Sequence, residues 1–132
     1  MAAHPRPLSP HLQVYTQPLT AGAMSIVHRA TGGLLALAAF FLVAWLFAVA
    51  GGSEAFARFG ALAGSWPGVI ALGLAAASLA YHLLNGVRHL FWDMDKGFEL
   101  SRSHASGLVV LVLAIVIGAA LVFAGLRAGG LA

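Results

Sequence analysis

Two polar runs interrupt an otherwise apolar chain, and both carry side chains that can do chemistry. The first to consider, Tyr81-His82-Leu83-Leu84-Asn85-Gly86-Val87-Arg88-His89, places two imidazoles, an amide and a guanidinium within an apolar stretch. Ionisable groups at membrane depth are costly and are kept mostly where they bind something. His82, Asn85, Gly86 and His89 have i, i+3, i+4 and i+7 spacing, which puts them on one face of a helix. An imidazole there is a natural axial ligand for haem iron, and Gly86 one turn later lets a flat porphyrin approach the backbone. His82 is the iron-ligand candidate. His89 lies about 10.5 Å further along the same face and cannot reach the same iron. With Arg88 and Arg29 it is placed to meet the anionic propionates at the wet end of a haem. A lone His82 would better suit a hydrogen bond to a neighbouring helix, but the accompanying Gly86, Arg88 and His89 reverse that preference in favour of a ligand.

The second run is Ser25-Ile26-Val27-His28-Arg29. Residues 25, 28 and 29 share i, i+3 and i+4 spacing, so a hydroxyl, an imidazole and a guanidinium point one way. A membrane quinone needs an apolar slot for its tail, donors for its carbonyl oxygens and a proton route from water. Ser25 can donate a hydrogen bond, Arg29 can stabilise negative charge on a partly reduced quinone, and His28 can relay protons. The competing reading, in which Ser25 caps a helix and Arg29 snorkels to lipid phosphate, stays open on spacing alone.

Composition fixes the solvent in which these runs must work. Of 132 residues, 61% are apolar and only 8% charged, and the mean hydropathy is +0.92; this balance belongs in a bilayer. Three uncharged stretches, Ala30 to Ala50, Pro67 to Val87 and Ala105 to Leu126, are each long enough to cross about 30 Å of hydrocarbon. The expected architecture is an all-α membrane protein of three transmembrane helices, near residues 28–50, 67–90 and 105–127, after a surface segment at 1–24. Gly51-Gly52 ends the first span, Ser65 can cap the second with Pro67 in its first turn, and Trp66 and Trp92 suit the two interfaces.

Three spans put the chain ends on opposite sides of the membrane. One side then holds Arg6, Arg29, Arg88, Lys96 and Arg102, and the other only Arg58 and Arg127. The positive-inside rule favours a cytoplasmic N-terminus and a periplasmic C-terminus. Both polar runs therefore converge on the cytoplasmic face.

Other classes drop out quickly. The chain has no cysteine, which removes iron–sulfur ligation, disulfides and covalent haem attachment. The proline-rich start, Met1 to Thr20, resembles neither a signal peptide nor an Arg- and Ser-rich transit peptide, which favours a bacterial inner-membrane protein. A net charge of +3 is too small and scattered for nucleic acid. His28 is expected too near the surface to be a second iron ligand, and His4, His11 and His104 fall outside the membrane. One ligand is missing from this chain, so a partner subunit is expected to supply it within a shared helical bundle.

Three motifs in order, Arg6-Pro7-Leu8-Ser9-Pro10-His11-Leu12-Gln13-Val14-Tyr15, Ser25-Ile26-Val27-His28-Arg29-Ala30-Thr31-Gly32, and His82 through Asp93, closely resemble the cytochrome b large anchor subunits of succinate dehydrogenase. The resemblance implies a membrane anchor of succinate:quinone oxidoreductase that does no catalysis alone. It implies a second three-helix anchor subunit sharing one haem b, with flavoprotein and iron–sulfur subunits docked on the cytoplasmic face. Carried over by position, Ser25 and Arg29 match the quinone-site residues with His28 beside them. His82 matches the axial ligand, and Arg88 and His89 match the basic residues near the propionates. The Ser-Pro-His-Leu and Asn-Gly-Val-Arg-His forms are closest to the branch that uses ubiquinone rather than menaquinone.

Overall fold

A computed structural model describes residues 22–129; the Arg6 to Tyr15 motif, His4 and His11 lie outside the described residues. Four helices follow in order: α1 (Gly22–Ala50), α2 (Ser53–Ala63), α3 (Trp66–Asp93) and α4 (Leu100–Ala128). The long helices α1, α3 and α4 hold 29, 28 and 29 residues, about 42 Å each at the helical rise. All three are long and apolar enough to cross a membrane. This is a helical membrane protein.

Each long helix extends past the uncharged core expected from sequence. The terminal turns sit in the interfacial layer, where polar side chains reach water while the backbone stays hydrogen-bonded. Ser25 and Arg29 consequently lie inside α1 rather than ahead of it. That removes the reading of Ser25 as a helix cap.

The turns are built by residues that suit them. Gly52, with φ +85°, breaks the chain between α1 and α2, a conformation that costs any other residue strain. Ser65 is the N-cap of α3, accepts from the Gly68 N–H at 3.4 Å, and is followed by Pro67 in the first turn. Gly97 and Asp95 both take positive φ in the connection to α4.

The short α2 was not expected from the sequence. Its Phe56, Phe59 and Leu62 alternate with Glu54 and Arg58, and the last two pair at 3.5 Å on an exposed surface. Such a mixed pattern suits a helix lying in an interface.

Inside and outside are reversed relative to a soluble protein. Phe40, Phe47, Ile115 and many other large apolar residues are exposed, which is what a lipid solvent permits. The thin interior holds Met24, Tyr81, Val110 and Ala114 as an apolar cluster, alongside buried Asn85, Arg88, Ser78 and Ser103. Without a hydrophobic drive between helices, close approach of backbones has to provide the contact. Gly118 provides it: a Cβ there would sit 3.4 Å from Ala77 Cα on α3.

Replacing Gly118 by leucine should therefore wedge α4 from α3 and cost about 1–3 kcal/mol. The check is thermal unfolding of the purified membrane complex in detergent, in which Gly118→Leu should melt earlier and Gly118→Ala should stay near the parent.

Candidate functional site

The start of α1, the end of α3 and the start of α4 share one end of the bundle, because the three helices alternate in direction. Arg29, Arg88, Lys96 and Arg102 lie at that end, and Arg58 and Arg127 at the other. The two polar runs converge as their spacing implied, but α3 divides its polar residues between two faces.

On the first face, His82 reaches α1. Its Nδ1 lies 3.1 Å from the His28 carbonyl oxygen and 3.2 Å from the Thr31 hydroxyl. The His28 ring stacks on the His82 ring with centroids 3.9 Å apart and planes 5° from parallel. His89 completes the group, its ring centroid 5.2 Å from that of His28. Among the described residues, His82 Nε2 has no hydrogen-bond partner, and neither has the buried Nδ1 of His28.

Two glycines make this packing possible. A Cβ at Gly32 would lie 3.0 Å from His82 Cε1, and a Cβ at Gly86 would touch His28 Cε1 at 4.0 Å. The clearance expected at Gly86 for a porphyrin therefore faces His28. His28 also lies at the depth of His82, deeper than the charge pattern suggested. Parallel rings 3.9 Å apart leave no room for a porphyrin between them, so the pair cannot ligate one iron from opposite sides.

Ser25 and Arg29 are also brought together, Arg29 Nη2 donating to Ser25 Oγ at 3.2 Å on an exposed surface. Hydroxyl and guanidinium thus present one polar patch, with Ser25 about one turn before His28 and Arg29 next to it in the chain.

Arg88 departs from the expected arrangement. Its guanidinium turns into the interior, donating to Ser106 Oγ at 2.9 Å and to the Ser103 carbonyl at 2.8 Å on α4. It also reaches Asn85 Oδ1 at 3.5 Å and Met24 Sδ at 3.7 Å. The cause is angular. At 100° per residue, Tyr81, Asn85 and Arg88 form a stripe beside, and not on, that of His82, Gly86 and His89. Asn85, expected on the histidine face, is wholly buried on the Arg88 side. Trp92 separates the two groups, stacked under the Arg88 guanidinium at 4.1 Å and edge-on to His89 at 5.0 Å. Tyr81 adds a third tie, its hydroxyl donating to the Met24 carbonyl at 2.9 Å.

Comparison with known proteins gives the family. Residues 2–121 match the family model described as succinate dehydrogenase/fumarate reductase transmembrane subunit. The chain belongs to that family. A succinate dehydrogenase cytochrome b556 subunit of Paracoccus denitrificans is 41% identical over 112 residues, 85% of each chain. One from Rickettsia prowazekii is 38% identical over 112 residues, 85% of this chain and 86% of the relative. The mitochondrial cytochrome b560 subunit of Bos taurus is 39% identical over 113 residues, 84% of this chain and 66% of the relative.

Membership in the family gives the polar end a context, and several of its members were not singled out by sequence reasoning. Thr31, Gly32, Ser103 and Ser106 read as ordinary small residues of packed membrane helices. Their roles exist only once the helices are assembled: Thr31 then meets His82, and Ser103 and Ser106 meet Arg88.

Arg88 is a buried charge with partners on α4, so Arg88→Leu strands Asn85, Ser103 and Ser106. We expect a loss of about 1–3 kcal/mol, read as a lower unfolding midpoint of the assembled complex. The loss should be the same at low and high salt, because a buried guanidinium is little screened.

Proposed function

We propose that this chain is the cytochrome b membrane anchor of a bacterial succinate:ubiquinone oxidoreductase. It holds one side of a single haem b and part of a ubiquinone site at the cytoplasmic end of the bundle. The observation that carries the reading is the His82 ring, tethered through Nδ1 to α1 with its Nε2 unpartnered among the described residues. An imidazole so held has one nitrogen fixed by the protein and the other free to bind a metal.

The donor set fits haem b. His82 would be the axial ligand, and the glycine-lined cradle at Gly32 leaves room for its imidazole but not for a methyl group. His89 and Arg29 would face the propionates, since both lie toward the wet end. Arg88 supports the same edge from behind, through Trp92 and α4. Haem b supplies a one-electron redox centre when bound. His28 lies against His82 and cannot approach iron from the opposite side, so a second anchor subunit would contribute the other ligand.

The quinone reading rests on Ser25 and Arg29. Their 3.2 Å hydrogen bond aligns a hydroxyl and a fixed cation on one helical face. Arg29 would stabilise negative charge developing on a quinone oxygen, and Ser25 would donate to the same or the second oxygen. His28 sits between this pair and His89, where it can pass protons from the surface. Ubiquinone is preferred to menaquinone on the Ser-Pro-His-Leu and Asn-Gly-Val-Arg-His forms of the sequence. An N-terminus in the cytoplasm follows from the cation asymmetry between the two ends. The flavoprotein and iron–sulfur subunits would then dock on this end and deliver electrons to it.

Purified complex tests both halves. Arg29→Ala and Ser25→Ala should lower succinate–ubiquinone turnover by about 10- to 100-fold while succinate oxidation with a soluble dye continues. Unchanged ubiquinone turnover in both variants would refute a quinone role, and equal losses in both assays would point to assembly failure. Pyridine haemochrome should give one haem b per flavin; two haems would favour a di-haem anchor using both His82 and His89.

A further inference from the structure

Thr31 and Gly32 follow His28 by one turn on α1, and both touch His82. We propose that they are positioning residues for that imidazole: Thr31 fixes which ring nitrogen carries the proton, and Gly32 fixes where the ring sits. The inference rests on the reading of His82 as an iron ligand.

The proton of the Thr31 hydroxyl is already committed. Thr31 Oγ1 lies 2.9 Å from the Val27 carbonyl and 2.9 Å from the His28 carbonyl, both of which only accept. A hydroxyl has one proton, so it donates to the α1 backbone and keeps its lone pairs for other donors. Those lone pairs meet His82 Nδ1 at 3.2 Å, and the His28 carbonyl meets the same nitrogen at 3.1 Å. Nδ1 therefore faces two acceptors.

A neutral imidazole has one ring proton to place. With the proton on Nδ1, the ring donates to this oxygen pair; with it on Nε2, the Nδ1 lone pair would oppose both oxygens in a half-buried site. The Nδ1–H tautomer follows, and it leaves the Nε2 lone pair for metal. Donation to two oxygens also makes the imidazole a stronger electron donor to a bound metal, which stabilises ferric over ferrous iron. The His28 carbonyl is backbone and cannot be altered by side-chain choice. Thr31 is the adjustable half of the pair.

Gly32 sets the position. An added Cβ would stand 3.0 Å from His82 Cε1 and 3.6 Å from Nδ1, closer at the first atom than packed carbons tolerate. The parallel His28 ring bounds the imidazole on one face at 3.9 Å. Displaced from α1, the ring loses both oxygens and its aim together.

The test uses the intact purified complex, read by haem content, ferric low-spin resonance and potentiometric titration. Thr31→Val, which keeps the shape and removes the acceptor, should raise the haem midpoint potential, whereas Thr31→Ser should keep the parental value. Gly32→Ala should weaken haem retention by about 10-fold or more. Equal shifts in the valine and serine variants, or no shift in either, would overturn the inference. A His82→Ala control separates the two levels. If it loses the parental ferric signal while Thr31→Val leaves the potential unmoved, the positioning role alone falls; if it keeps that signal, the ligand reading falls with it.

Discussion

A polar side chain inside a bilayer must find its partners within the protein, because lipid offers none. The arrangement of α3 is a response to that constraint. Its Tyr81, Asn85 and Arg88 stripe closes inward on Met24, Ser103 and Ser106, joining all three long helices at one end. The adjacent stripe of His82, Gly86 and His89 meets α1, where the buried His28 Nδ1 has no partner among the described residues; on the inward stripe the buried Asn85 Nδ2 is likewise without one. One stripe ties the three long helices together; the other gathers the histidines against α1. The difference between them is a rotation of about 100° about one helix axis.

The inward stripe gives the histidine stripe its rigidity. Arg88 holds the start of α4 and the sulfur of Met24, and Trp92 passes that support to His89 by stacking on the guanidinium. On the other side the α1 backbone acts as a fixed rail. The His28 carbonyl and Thr31 hydroxyl grip one edge of the His82 ring, and Gly32 lets that ring come close. Ser25 and Arg29 lie on the same rail less than two turns away. An electron centre and a quinone site at this end would thus share a single supporting helix, which suits a short transfer path between them.

Much of this was legible in the residues. The three spans followed from charge-free stretches of the right length, and the convergence of the two polar runs followed from the alternation of three helices. Helix ends were less legible, because interfacial turns such as Gly22 to Arg29 look polar yet remain helical. The helix at Ser53–Ala63 was missed since eleven residues of mixed character carry no spanning signal. Arg88 was placed with His89 because adjacent residues look alike in a motif. On a helix they are 100° apart, and the serines that claim the guanidinium lie on another helix. Thr31 and Gly32 stand in the first-span motif, but their contacts with His82 exist only across the α1–α3 interface.

The central claim is that His82 of this chain ligates the haem iron. Pulsed electron paramagnetic resonance of the ferric complex, grown with nitrogen-15 histidine, counts the imidazole nitrogens coupled to iron. A His82→Met complex should show one coordinating imidazole fewer than the parent. The same number in both would contradict the account.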